Sequence, residues 1–135
     1  MANDLYAKGR EGFLDGSIDW DTDTIKVVLV DGADYTPDLT LHDTLSDIPS
    51  AARVAVSPAL TGKTVVDGVA DADDVTLTSV TGDQFEYVII YQDTGDETTS
   101  RLILFIDDAT GLPCTPNGSD ITIQWPDTAD KIFKL

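Results

Sequence analysis

The sequence predicts an all-β protein, an antiparallel β-sandwich of jelly-roll type with one short N-terminal helix. Three observations predict it. Seven or eight short β-branched or apolar runs are separated by Asp, Gly and Pro, the spacing of a sandwich or barrel. The acid is Asp rather than Glu, 22 residues against three, and Asp favours caps and turns where Glu favours helices. No long helical pattern alternates with the strands, which disfavours a parallel α/β sheet. The 135 residues fit one domain, with residues 1–15 as a helical arm and 16–135 as the sandwich. A chain of this length buries roughly two-thirds of its unfolded surface and needs no disulfide staple.

The elements run in order. Asn3 or Asp4 can cap a helix over residues 4–14, with Leu5, Tyr6, Phe13 and Leu14 at roughly helical spacing and Gly16 as the stop. Gly9 and Gly12 weaken it by up to about 1 kcal/mol each, so it needs a surface to dock on. Thr24–Val30 reads as a strand ending at Asp31-Gly32. Residues 34–50 carry Pro37 and Pro49 and form a long connection, with Leu39, Leu41, Leu45 and Ile48 able to pin a helical turn. Strands come next at 53–56, 63–66, 75–80, 85–91, 101–106 and 121–125, and Ile132–Leu135 closes the chain as an apolar tail. VDGADY (30–35) and VDGVAD (66–71) share turn chemistry, too little for a repeat.

Charge limits the partners. Eight basic residues face 25 acidic ones, a net charge of −17. Phosphate backbones and anionic lipids would both repel such a chain, so neither nucleic acid nor membrane is expected. A halophilic source explains the acidity equally well. The N-terminus has no apolar core of a secretory signal, and no apolar run is long enough to span a bilayer. The single cysteine, Cys114, excludes an intramolecular disulfide and reads as a small filler. Synthesis in a cytoplasm without an export signal is the expectation.

The motif-like stretches lack what their chemistry requires. Asp93-Thr94-Gly95 after the apolar run YVIIYQ imitates the catalytic loop of an aspartic protease. That chemistry needs two aspartates sharing a proton, and here the acidic Asp96 comes next. A polar loop between two apolar strands is what a hairpin requires. Gly62-Lys63-Thr64 imitates the end of a phosphate-binding loop, but position 57 is Ser rather than Gly and a strand comes after it instead of a helix. Asp19, Asp21 and Asp23 alternate as in a calcium loop, yet the sixth and twelfth positions are Thr24 and Val30 instead of Gly and Glu. They and Asp71, Asp73 and Asp74 are weak metal candidates beside the reading of solvated acidic turns. His42 is the only histidine and reads as a loop residue. Asn117-Gly118-Ser119 reads as a turn. No catalytic residue and no cofactor is expected, and the chain is read as no enzyme.

Three runs carry a resemblance: LYAKGREGFLDGSIDWDTDTIKVVLVDGADYTPDL, IPSAARVAVSPALTGKTVVDGVADADDVTLTSVTGD and ATGLPCTPNGSDITIQWPDTADKIFKL. Together they cover most of the chain, which resembles a family of small virion proteins of tailed bacteriophages. The resemblance implies a non-enzymatic structural role, foremost a cement or decoration protein on the head. Its partners would be the major capsid protein and further copies of itself, and it would lie on the capsid surface. A tail or fibre component is the alternative. A carbohydrate-binding β-sandwich using Trp20, Tyr35 and Asp19/Asp21/Asp23 is the rival from another class. The docking face is expected at the two termini, from Leu5, Tyr6, Lys8, Arg10, Phe13, Leu14 and Trp20 at one end and Ile132, Phe133 and Leu135 at the other. Against this stands the reading that both ends tuck into their own domain. Trp125 is expected in the core.

Overall fold

A computed structural model describes residues 3–135. Its elements are β1 (Asp4–Leu5), α1 (Ala7–Asp15), β2 (Ile25–Val30), β3 (Arg53–Val56), β4 (Thr64–Val66), β5 (Val69–Asp71), β6 (Val75–Leu77), β7 (Tyr87–Gln92), β8 (Leu102–Ile106), β9 (Ile121–Ile123) and β10 (Phe133–Lys134). All pairings are antiparallel. The expected mostly-β, antiparallel class with one helix is what forms. The strands divide into three sheets, in the orders β1-β8-β7-β2-β3, β10-β5-β4 and β6-β9.

The five-stranded sheet is the centre, because its strands are apolar on both faces. Ile25, Val27 and Leu29 of β2, with Val88 and Ile90 of β7, enter one buried cluster. Val28, Val30, Ile89 and Tyr91 enter the other, as the two-residue period of a strand dictates. The first face is covered by the two small sheets through Ala70, Val75, Leu77 and Phe133, and by Trp20. The second is covered by the 31–52 connection through Tyr35, Leu45, Ile48 and Ala52. Single 3₁₀ turns at Leu45–Asp47 and Ser50–Ala52 shape that connection. A segment that reads as a long loop is therefore one wall of the core.

The N-terminal segment is no free arm, and residues 1 and 2 of the expected arm lie outside the described residues. Residues 4 and 5 form a strand paired with Phe105 and Leu104, where the sequence predicts the start of the helix. The helix begins only at Ala7, with Tyr6 as an uncapped N-cap. Asp4 does not cap it; its carboxylate accepts from the Arg10 guanidinium at 2.7 Å. Tyr6 packs on the second face and Phe13 on the first, so α1 straddles the β8 edge of the sheet.

A bulge makes room for the helix. Ile90 pairs with Leu104 and Tyr91 with Leu102, leaving Ile103 unmatched. The Tyr6 N–H takes the free Ile103 carbonyl at 2.9 Å. Gly9 then lies so close to β8 that a Cβ there would stand 2.8 Å from the Leu102 carbonyl oxygen. Helix C-termination at Gly16, φ +83°, is as expected.

Candidate interaction surface

The two ends of the chain meet. The Phe13 ring lies 5.5 Å from the Phe133 ring, and the Trp20 ring stands edge-on to Phe133 at 5.2 Å. Trp20 is pinned there by its indole N–H, which donates to the Asp71 carbonyl at 3.0 Å. Strand register extends this contact to the surface. Phe133 pairs with Ala70, and Ala70 with Val65, so these three side chains form a row across the small sheet on its groove face. Phe133 and Ala70 are buried, whereas Val65 is 56% exposed. The core thus runs out to the surface at Val65. An open groove of about 310 Å³ results, lined by Phe13, Ile18, Trp20, Val65, Phe133 and Leu135 with Asp19 at its rim.

The expected docking residues therefore divide. Leu5 and Tyr6 are buried in the protein's own core, because the sheet edge claims them first; they are corrected from interface to core. Trp20 and Phe133 are also buried, but they line the floor of the groove. Phe13 and Ile132 are half-buried against the same cluster. Leu14, 85% exposed, and Leu135, 55% exposed, have open faces. Lys8 and Arg10 are occupied by Glu11 at 3.2 Å and Asp4 at 2.7 Å.

That occupation is general. Lys26, Arg53, Arg101 and Lys131 also pair with acids, namely Asp93, Glu97, Asp43 and Asp127. The Lys63 ammonium donates to the Asp23 carbonyl. Seven of the eight basic side chains are thus engaged within the chain. What the molecule offers outward is overwhelmingly carboxylate.

The motif-like stretches take structural roles. Asp93 accepts from Lys26 Nζ at 2.7 Å and from the Gly95 N–H at 2.9 Å. The Lys26 hydrogen bond first and the Gly95 N–H second hold its carboxyl below the ordinary value. It opens the hairpin loop between β7 and β8. Gly62-Lys63-Thr64 runs into β4 rather than a helix, so no amide cradle forms. Asp23 turns inward to accept from Gln92 at 2.7 Å and from the Asp19 N–H at 2.8 Å. Asp19 and Asp21 instead face each other: the hydrogen bond between their carboxyls lowers the first and raises the second. The alternating aspartates therefore do not converge as three ligands. Asp73 and Asp74 receive the indole and backbone N–H of Trp125 at 3.0 Å each, and Trp125 is half-buried against the core. Trp20 and Tyr35 lie in the clusters on opposite faces of the main sheet, so they form no common sugar platform.

Two features escaped sequence reasoning. Asp31, Asp34 and Asp83 bring carboxylate oxygens within 4.8 Å of one another, beside an open cleft of about 500 Å³ lined also by Gly32, Glu86 and Tyr87. Asp31 is largely buried, and its Oδ1 accepts from the Ala33 N–H at 2.9 Å. These oxygens are chemically suited to a hard cation. Nothing local in the sequence joins Asp83 to the Asp31 turn. The second feature is a buried chain of polar groups. Tyr6 Oη lies 2.9 Å from Tyr35 Oη, which lies 2.8 Å from His42 Nδ1. The Asp38 N–H also donates to Nδ1. Nδ1 is thus an acceptor, Tyr35 donates to it, and Tyr6 donates to Tyr35. Burial pushes the Tyr35 phenol up to about 12 and raises Tyr6 as well, with Tyr35 adding to the latter. His42 is therefore part of the wall's internal bonding.

Fold and surface define a mostly-β, antiparallel protein with an apolar groove in an acidic shell. No helix among the described residues is long and apolar enough to cross a membrane. Compared with protein-family models and with curated proteins, the chain matches none.

Proposed function

We propose that this chain is a non-enzymatic structural protein of a tailed-phage virion, a cement or decoration protein that binds the major capsid protein on the head and assembles there with copies of itself. The observation that carries the reading is the meeting of α1 and β10 in one apolar groove at the surface of an acidic body. The two small sheets serve as the second layer of a sandwich over the central sheet, and this rigid body presents the groove. The sequence resemblance supplies the virion context. Charge supports it as well: like-charged free copies repel one another in the host cytoplasm, and paired internal cations leave the exterior hydrated. On a shell, many modest contacts add up through avidity. A tail or fibre component would use the same face.

The test is co-sedimentation with purified heads, with and without the protein. Binding that raises the temperature at which heads release DNA supports the reading. No binding to heads at any salt concentration overturns it, and binding to isolated tails instead moves the protein there.

A further inference from the structure

We propose that the groove and the β4 edge receive an extended, basic polypeptide segment of a partner subunit. It would add as a strand beside β4 and seat an apolar side chain against Phe13, Trp20 and Phe133. This partner chemistry belongs to the docking face proposed above, and rests on that reading of the face.

Three observations carry it. First, β4 is an outer strand, paired only with β5. The hairpin turns through Asp67 and Gly68 at φ +54° and +77°, a two-residue turn of the primed kind. Its closing pair Val66–Val69 exchanges hydrogen bonds, and the ladder alternates. The N–H and C=O of Val65 therefore point away from β5, toward any strand laid alongside. Natural edges are usually guarded by charge, proline or a bulge. This one shows Val65 and Val66, 56% and 62% exposed, and the lysine just before it, Lys63, is turned onto the Asp23 carbonyl.

Second, the edge and the groove are continuous. The row Phe133–Ala70–Val65 leads from the core to the open edge. A strand beside β4 would place alternate side chains over the groove, and main-chain bonding with alternate pockets is how added strands are recognised.

Third, charge selects the occupant. Asp19 lines the groove and Asp67 is in the turn of the same hairpin, in a chain of net charge −17. Lys134 falls on the opposite face of β10 from Phe133 by the strand period. A second copy would set these acids against themselves, and a nucleic acid would fare no better. A lysine- or arginine-bearing strand is complementary.

A short synthetic peptide of alternating lysine and valine with a central phenylalanine is the probe. Controls are its glutamate counterpart and a version N-methylated on one backbone edge. Amide shifts at Val65 and Trp20 fluorescence are the readouts, at probe concentrations up to about 1 mM. The basic peptide is expected to bind and to weaken with salt. Val65→Lys should weaken it at least tenfold without altering the melting point, since the side chain is more than half exposed. N-methylation should weaken it as much. The glutamate peptide should not bind. Equal binding of both charges, no binding of the basic peptide, or indifference to Val65→Lys overturns the inference. So does a protein dimer in sedimentation that Val65→Lys dissolves, which would make a second copy the occupant. Peptide binding by a protein that ignores heads would sink the virion reading and leave this one standing; head binding without peptide binding would do the reverse.

Discussion

Replacing Gly9 by alanine tests how α1 is held, because the helix and its seat pull in opposite directions. In a free helix the change is favourable by about 1 kcal/mol. In the protein the new Cβ would stand 2.8 Å from the Leu102 carbonyl oxygen and 3.0 Å from the Ile103 Cα and carbonyl oxygen. These are backbone atoms of a bulge whose free carbonyl already bonds Tyr6, so they cannot rotate away. Overpacking of this kind costs about 1–3 kcal/mol. The net is a loss of up to about 2 kcal/mol, which lowers the melting point by up to roughly 7 °C for a chain of this size. Gly12→Ala is the control: its Cβ would meet the Ile18 side chain at 2.5 Å, and a side chain can turn aside, so the helical gain offsets more of the cost. Thermal melting tracked by far-UV circular dichroism gives the answer. A Gly9→Ala protein that melts higher than the parent would show that α1 does not sit on the β8 bulge.

The ion pairs and buried hydrogen bonds give further tests. Asp93→Asn should cost about 1 kcal/mol at neutral pH. Because the folded pKa of Asp93 is depressed, its contribution is present above the ordinary carboxylate value of about 4 and is lost as pH falls through the lower folded value. Urea midpoints of parent and variant should therefore converge toward acid pH, and a constant gap would contradict the Lys26 pair. Tyr35→Phe should destabilise more than Tyr6→Phe. It strands the fully buried Tyr6 O–H as a donor, at about 1–3 kcal/mol, whereas Tyr6→Phe removes only one donor from Tyr35; the reverse order in urea titrations would refute the bond direction. The same direction requires the His42 proton on Nε2, readable from nitrogen chemical shifts. Asp21→Asn should raise the melting point at pH 7 and have less effect near pH 3, where the parent's Asp21 is itself protonated, since the fold raises the Asp21 carboxyl against Asp19.

Much of the architecture was legible in local chemistry. Ile25–Val30 and Tyr87–Gln92 are apolar at every other position twice over, and such runs become central strands. Asp93-Thr94-Gly95 and Asp67-Gly68 turn where their residues permit. Gly16 ends the helix. The errors share one cause. Asp4 and Leu5 look helical by spacing, but the open β8 edge pairs them first. Val69–Asp71 is too short to read as a strand, yet β4 on one side and β10 on the other make it one. Leu5 and Tyr6 look like anchors for a partner and are consumed by the protein's own layers.

The sequence by itself determined the class, the turns, the surplus of carboxylate and the apolar character of both ends. Those properties depend on backbone preference and side-chain polarity, which act over a few residues. Only the tertiary structure decided that Phe13 meets Phe133, that Val65 carries the core to an open edge, and that Asp83 joins Asp31 and Asp34. Such meetings depend on which strand pairs with which and in what register. That choice is made by the free energy of burying the whole set of faces at once, and no short stretch of the chain contains it.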